Sequence, residues 1–202
     1  DETGASYKNG QLLGGLSASP QGRVGYQIGD EPLTVEELQG LAPGIASIRA
    51  ADPEALIIVN FGNGESESEL VAIADHYRMN MDGDVVSYDH YGYDYNTYFP
   101  MELHRKSALA AGRPYWRYLN AYQDAGKADW PGESDMRWDA FKGLLYGYTG
   151  HTWFLYQVSP AHGLATAFFN QSGDWSAGQL QGFSIAAQLN REMAHLGRSI
   201  SL

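Results

Sequence analysis

Short apolar runs alternate with longer amphipathic stretches along this chain. The apolar runs contain five or six residues, a length typical of buried β-strands, and the amphipathic stretches repeat their apolar positions at helical spacing. The predicted strands are residues 23–28, 56–61, 84–88, 115–119 and 151–156. The predicted helices begin at Thr34 and then cover residues 65–78, 99–111, 133–147 and 177–196. Strands separated by helices form parallel neighbours through right-handed crossovers, so the pattern predicts an α/β fold.

The first helix has a clear start signal. Thr34 and Glu37 have the spacing of a capping box, in which each side chain bonds to the backbone of the other residue. The apolar positions that follow recur at helical spacing, and they are Leu38, Leu41, Ile45 and Ile48. We therefore predict one helix after the first strand.

Two α/β architectures fit this order of elements, an open doubly wound sheet and part of a (β/α)8 barrel. The nucleotide-binding version of the open sheet lacks its signature, because no G-x-G-x-x-G follows the first strand and no Walker loop occurs. Both architectures bind ligands at the carboxyl ends of their strands. No linker divides the chain, so we expect one unit.

The first predicted strand leads into an acidic pair, Asp30 and Glu31, followed by Pro32. In the functional interpretation, a carboxylic acid at the rim of a barrel protonates a leaving group. In the structural interpretation, the acidic residues favour the start of the next helix through its dipole. The residues alone leave both interpretations open.

The other strands end in side chains that suit sugar hydroxyls and rings. Asn60 ends the second strand with Asn63 behind it, although Asn between glycines also favours a turn. The third strand ends in Ser87-Tyr88-Asp89-His90-Tyr91, which is denser in polar and aromatic groups than a connecting loop requires. Trp116 and Phe154 compete for places in the core. The residues of this kind within or just after the last two strands are Asn120, Tyr122, Trp153, Tyr156 and Gln157.

Composition narrows the possible functions. Acidic residues outnumber basic ones by 24 to 13, giving a net charge of −11, so we expect no nucleic-acid partner. No apolar run approaches the roughly 20 residues that span a bilayer, so no membrane partner is expected. The absence of cysteine and of paired-histidine motifs predicts no metal and no other cofactor. The 14 Tyr and 5 Trp suit stacking on the apolar faces of sugars.

Three segments, taken in order, carry a resemblance to a known family. Val24–Pro32 (VGYQIGDEP), Asp84–Tyr91 (DVVSYDHY) and Pro114–Trp116 resemble strands four, six and seven of the (β/α)8 glycoside hydrolases of the retaining superfamily. The likeness is strongest to family-42 β-galactosidase-like proteins. Asp135–Gln157 resembles the family's Met-Arg helix and aromatic eighth strand, and Leu189–Gly197 resembles its closing helix.

The resemblance implies that the five units are strands four to eight of a TIM (β/α)8 barrel. Residues 23–202 are then a single partial barrel domain, with residues 1–22 as an N-terminal loop segment and the front strands absent from this chain. A complete barrel takes about 250 residues. We therefore expect the missing N-terminal half of the barrel, or another chain, to complete it.

The resemblance also implies hydrolysis of an oligosaccharide or polysaccharide with Glu31 as the general acid. The family's nucleophile is a Glu a few residues after Trp116, and no carboxylate stands there in this chain. Three possibilities stay open: the base is Asp89, the base is Asp124 or Glu133, or hydrolysis has been lost. A base from another strand would suit inverting enzymes, whose carboxylates lie roughly 6.5–9.5 Å apart.

Three classes of function therefore compete. The first is a glycosidase with Glu31 and Asp89 as its catalytic pair, and the second is a sugar-binding protein on a degenerate barrel. The third is a structural domain without a ligand. For the first two classes, the expected sugar contacts are Asp30, Asn60, His90, Tyr91, Asn120, Tyr122, Trp153, Tyr156 and Gln157.

Overall fold

The computed structural model of the protein describes residues 6–8, 11–13, 25–62, 66–91, 98–123, 131–155 and 177–200. Its strands are β1 (Ser6–Lys8), β2 (Gln11–Leu13), β3 (Gly25–Asp30), β4 (Leu56–Phe61), β5 (Val85–Tyr88), β6 (Tyr115–Asn120) and β7 (Gly150–Phe154). Its helices are α1 (Val35–Gln39), α2 (Ala42–Ala51), α3 (Glu67–Asn80), α4 (Tyr98–Ala110), α5 (Glu133–Leu145) and α6 (Ala177–Ile200). None of these helices, within the described residues, has the length and apolar character that a membrane crossing requires.

Strands β3 to β7 form one sheet in which their spatial order equals their order in the chain. The β3–β4 and β4–β5 pairs are parallel, with Asp30 opposite Asn60 and Asn60 opposite Ser87. All four residues of β5 are buried, as expected for an apolar strand inside a parallel sheet. The predicted α/β class and the alternation of strands with helices are confirmed.

The N-terminal segment contains a small antiparallel pair of strands. Strand β1 pairs with β2, with Ser6 opposite Leu13, and this pair forms its own two-stranded sheet. Strand β1 lies beside β3. Residues within the segment predicted as a loop thus form regular structure.

The helical region after β3 is two helices, where the sequence predicted one. Helix α1 begins after Thr34, whose hydroxyl caps the backbone N–H of Glu37, and ends at Gly40. Helix α2 begins at Ala42 and has Pro43 in its first turn. Glycine is a poor helix former and proline lacks an N–H donor, so the break falls where both occur.

The described residues divide into two compact units. The first holds the residues up to His90 and residues 98–116, and the second holds Tyr91 and the residues from Arg117 onward. The core of the first unit includes Ile57, Val59, Ile73, Val86 and Met101. The core of the second is built from Leu119, Ala121, Met136, Ala140, Ala186, Leu189 and Met193.

Arg49 joins the amino ends of β4 and β5 inside the first unit. Its guanidinium donates to the carboxylate of Asp84 at 2.6 Å and to that of Asp82 at 3.2 Å. The same Asp84 carboxylate accepts from the backbone N–H of Ile57 at 2.7 Å. The carboxylate of Asp84, the residue before β5, is therefore bonded to the second residue of β4.

A buried histidine lies within the first core. His104 is 1% exposed, and its ring lies between Phe61 and Tyr88, with 5.1 Å between ring centroids on each side. Neither ring nitrogen has a hydrogen-bond partner in the described part of the chain. Burial lowers the pKa of His104 to about 3, so the ring is neutral in the folded protein at neutral pH.

Replacing His104 with Phe should stabilise the protein. The substitution keeps a flat ring between Phe61 and Tyr88 and removes two buried polar atoms without partners, whose burial costs about 1–3 kcal/mol. We expect the free energy of unfolding at pH 7 to rise by about 1 kcal/mol, measured by urea denaturation.

The advantage of His104→Phe should grow as the pH falls. The unfolded chain protonates this histidine near its ordinary pKa of about 6.5, whereas the folded chain does so only near 3. Between these values the wild type should lose about 1.4 kcal/mol of stability per pH unit that the variant keeps. His195→Phe, at an exposed position on α6, is the control. Parallel stability curves for His104→Phe and the wild type would contradict this account.

Candidate functional site

Three polar residues at the carboxyl ends of β3, β4 and β5 form one hydrogen-bonded row. The side-chain amide of Asn60 donates through Nδ2 to Oδ1 of Asp30 at 3.1 Å. The hydroxyl of Ser87 donates to Oδ1 of Asn60, also at 3.1 Å. Asn60 and Ser87 are buried, whereas Asp30 is exposed. The Ser87 hydroxyl thus fixes the Asn60 amide with its N–H group towards the Asp30 carboxylate.

Glu31, the proposed acid, directly follows β3 in a strained conformation. Its φ angle is 46°, in the left-handed region that side chains other than glycine rarely adopt. Its backbone N–H donates to the carbonyl of Asn60 at 2.8 Å, which holds this conformation against β4. Non-glycine residues in this region cost of order 1–3 kcal/mol, and such residues cluster at functional sites.

The Glu31 side chain lies directly over Gly62. A Cβ atom on Gly62 would lie 2.7 Å from Oε1 of Glu31 and 2.9 Å from its carboxyl carbon. Any other residue at position 62 would therefore displace the carboxylate. Gly62 is buried, whereas the Glu31 side chain is exposed to solvent.

Asp89 takes the corresponding position after β5. Its backbone N–H donates to the carbonyl of Phe61 at 2.9 Å, and the residue is 6% exposed. Glu31 and Asp89 are therefore bonded to consecutive carbonyl groups of β4, from opposite sides of that strand. His90 follows Asp89 and is half-buried.

This arrangement sets the spacing of the two acidic residues. Neighbouring strands lie about 4.7–4.9 Å apart, and β4 separates β3 from β5. The backbones that carry Glu31 and Asp89 are thus about 9–10 Å apart, two strand spacings.

In the second unit, the end of β6 is fixed by a buried carboxylate. Asp139 on α5 accepts from the backbone N–H of Asn120 at 3.2 Å and pairs with Arg117 at 2.5 Å and Lys142 at 3.3 Å. The side-chain oxygen of Asn120 accepts from the backbone N–H of Tyr122 at 2.9 Å. Asn120, predicted as a sugar contact, here shapes the turn that carries Tyr122.

An aromatic cluster in the second unit contains two of the predicted stacking residues. The ring of Tyr91 lies 5.3 Å from that of Tyr122 and 5.6 Å from that of Phe154, measured between centroids. Tyr118 contacts Phe154 at 6.4 Å. Tyr91 and Tyr122 are half-buried, which leaves part of each ring accessible.

Trp153 is hydrogen-bonded to helix α6. Its indole N–H donates to the side-chain oxygen of Asn190 on α6 at 2.8 Å, and its ring packs against the core of the second unit. Successive strand residues point to opposite faces. The sequence prediction placed Trp153 at the ligand and Phe154 in competition for the core, whereas the structure brings Phe154 to the cluster.

The remaining predicted residues have different outcomes. Glu133, one alternative base, begins α5 and pairs with Arg137 one turn later at 2.7 Å. Tyr156, Gln157 and Asp124 lie outside the described residues.

The predicted contact residues did not include Gly62, Ser87 or Asp139. Ser87 has a sequence signal, since it belongs to the dense polar and aromatic group at the end of the third predicted strand. The roles of Gly62 and Asp139 depend on contacts with Glu31 and Arg117, and no local pattern marks them.

The site contains carboxylate, amide and hydroxyl groups that can form hydrogen bonds with a ligand. In the ranges that the structure describes, no three His, Asp or Glu side chains come together in a group able to hold a metal ion. Neither the models of known protein families nor the curated proteins with which the sequence was compared contain a match to this chain.

Glycine at position 31 should be tolerated, unlike glycine at an ordinary helical position. Glu31→Gly relieves the strain of a positive φ, which offsets the added flexibility of the unfolded chain. We expect the free energy of unfolding to change by less than about 0.5 kcal/mol. The matched control is Glu36→Gly, at an exposed position in α1, which should lose about 1 kcal/mol. Equal losses in urea denaturation would show that the backbone at Glu31 is unstrained.

Proposed function

We propose that this protein hydrolyses glycosidic bonds, with Glu31 as general acid and Asp89 as general base. The observation that carries the proposal is the attachment of both residues to the last two carbonyl groups of β4, with Glu31 held at a positive φ over Gly62. A strained residue held by its neighbours is typical of functional sites. Two carboxylates on either side of a scissile bond are the usual machinery of glycosidases.

The spacing favours hydrolysis with inversion. Retaining enzymes need carboxyl groups about 5–5.5 Å apart, whereas inverting enzymes need roughly 6.5–9.5 Å so that a water molecule fits. The backbones that carry Glu31 and Asp89 are about 9–10 Å apart, two strand spacings, which is compatible with the wider separation of the carboxyl groups. In the proposed step, Glu31 transfers its proton to the glycosidic oxygen while Asp89 takes a proton from water. The oxygen of that water bonds to the anomeric carbon from the opposite face, and the bond to the leaving group breaks.

The row formed by Asp30, Asn60 and Ser87 supplies hydrogen bonds to sugar hydroxyls. The exposed Asp30 carboxylate is an acceptor, and the buried Asn60 amide holds it in position. Because Ser87 fixes the orientation of the Asn60 amide, the Asp30 carboxylate is held in position before a ligand binds. Pre-organised polar groups are what discriminate one hydroxyl pattern from another.

The aromatic cluster of the second unit is the proposed stacking surface. Tyr91 and Tyr122 combine an apolar ring with a hydroxyl, and their edge-to-face contact fixes both rings. The asparagine-anchored turn at Tyr122 restricts its backbone as well.

A second candidate function is sugar binding without hydrolysis. It is favoured by Asn120, because this residue lies in the stretch after Trp116 where the resembled family carries its nucleophile. The row at Asp30 and the aromatic cluster would serve binding equally well. Binding of an oligosaccharide with no release of product would identify this second function.

The proposed enzyme has a complete barrel formed with further polypeptide, either an N-terminal half or another chain. Strands β3 and β7 are the edges of the five-stranded sheet. All five residues of β7 are half-buried or exposed, in contrast to the buried residues of β5. An additional strand beside β7 would cover this edge, as parallel sheets require.

Substitution of Glu31 should lower the rate of hydrolysis by an amount that depends on the leaving group of the substrate. Glu31→Gln keeps the size of the side chain and removes the proton that a poor leaving group needs. We expect turnover of unactivated oligosaccharides to fall about 100-fold or more, and turnover of dinitrophenyl glycosides to fall less than about tenfold. The measurement is steady-state hydrolysis of both substrate types. Glu36→Gln, at an exposed position in α1, is the control and should match the wild type.

Asp89→Asn should lower hydrolysis of both substrate types together, because activation of water does not depend on the leaving group. Equal losses on both substrates for Glu31→Gln would argue against its role as the acid. Full activity in Asp89→Asn would leave Asp124 as the carboxylate to test next.

Removal of the cluster's exposed rings should weaken sugar binding without unfolding the protein. Alanine at Tyr91 or Tyr122 removes a stacking surface worth about 1 kcal/mol, so we expect the dissociation constant for an oligosaccharide to rise about fivefold or more. Isothermal titration calorimetry measures the change. Phe99→Ala is the control, since that ring is 41% exposed on α4 of the first unit. Unchanged affinity in both tyrosine variants would show that the aromatic cluster is not part of the sugar-binding surface.

A further inference from the structure

A cavity of about 490 Å³ lies in the second unit. Its walls come from β6, the second half of α5, the turn that follows α5, the first residues of β7 and the second half of α6. Ligand sites in proteins have volumes of about 300–1,000 Å³, so the cavity has the size of one. Its lining includes Arg117, Leu119, Leu144, His151, Met193 and Arg198.

The charges around this cavity differ from those of the chain as a whole. The protein carries 24 acidic and 13 basic residues, yet the described lining includes two arginines and one histidine and no carboxylate. Arg117 is ion-paired with Asp139 beneath the wall. Arg198 is exposed on α6 and has no ion pair with any residue that the structure describes. The Arg198 guanidinium is thus available to an anion at this cavity.

The rest of the lining is largely apolar. Leu119, Leu144 and Met193 offer aliphatic surface, and several lining positions are glycine or alanine. A guanidinium matches a carboxylate, since its N–H groups form two parallel hydrogen bonds to the two oxygens. An apolar body attached to that carboxylate gains from burial against the aliphatic wall.

We infer that this cavity binds an organic acid with an apolar body, whose carboxylate pairs with Arg198. The apolar body lies against Leu119, Leu144 and Met193. The lining of the cavity includes none of the residues of the candidate glycosidase site, so the two sites are separate. The inference therefore does not depend on the proposed hydrolysis.

Gly197 provides a variant that closes the cavity without disturbing the fold. This residue lines the cavity, and a Cβ atom built on it meets nothing within 4 Å. Gly197→Leu therefore has room for its side chain, and leucine favours the helix over glycine. We expect α6 to be at least as stable in this variant, as checked by urea denaturation.

Octanoate is the probe, measured by isothermal titration calorimetry on the full chain. We expect wild-type protein to bind octanoate at least about tenfold more tightly than octanamide, its uncharged counterpart. Gly197→Leu should weaken octanoate binding by about tenfold or more. Arg198→Gln should remove the preference for the acid over the amide.

Arg191→Gln is the matched control, because Arg191 is an exposed arginine on the same helix that does not line the cavity. Its affinity for octanoate should stay within twofold of the wild type. No binding of octanoate to the wild type, or unchanged binding in Gly197→Leu, would overturn the inference. Equal affinity for octanoate and octanamide would overturn the assignment of an acid as the ligand.

Discussion

Strand β4 is the element on which the candidate site depends, because its last two carbonyl groups hold the residues on either side of it. The Asn60 carbonyl accepts from Glu31 and the Phe61 carbonyl accepts from Asp89. The Asn60 side chain also links Asp30 to Ser87 through its amide. A parallel sheet makes this possible, since its strands all end at the same edge. Any change that shifted β4 along its neighbours would move both acidic residues.

The amino end of β4 is held as firmly as its carboxyl end. Asp84 accepts from the Ile57 backbone and from Arg49, which connects the strand to α2 and to the start of β5. In the second unit, Asp139 has a similar role, since it joins Arg117 and Lys142 to the backbone of Asn120. Asp139 is buried and Asp84 is half-buried, and a carboxylate removed from water needs such partners to be tolerated. Each of the two carboxylates ties a strand to a neighbouring element.

Much of the fold followed from local pattern. The predicted strand at residues 56–61 has the bounds of β4, because it is a continuous apolar run ended by glycine. Strand β3 extends two residues beyond its prediction, through Gly29 to Asp30, because pairing with β4 continues past a register shift between Gln27 and Gly29. A Cβ atom on Gly29 would lie 2.5 Å from the Leu41 side chain, so this glycine permits close packing rather than a loop.

The site was harder to predict than the fold. Asp30, Asn60 and Asp89 were predicted at strand ends from local pattern, and the structure places them there. The positive φ of Glu31 and its contact with Gly62 arise from tertiary structure and leave no pattern in the sequence. Alternate residues of a strand face opposite sides of the sheet, so a shift of β7 by one residue would exchange the faces that Trp153 and Phe154 occupy. The sequence pattern alone does not fix that register.

The stereochemistry of hydrolysis tests the central claim most directly, because it depends on the separation of Glu31 and Asp89 across β4. Proton NMR of the sugar released in the first minutes, before mutarotation, reports its anomeric configuration. We expect a product with the configuration opposite to that of the substrate, because a water molecule activated by Asp89 would attack the face opposite to the acid. A product of retained configuration would contradict it, since retention needs a carboxylate about 5–5.5 Å from the acid.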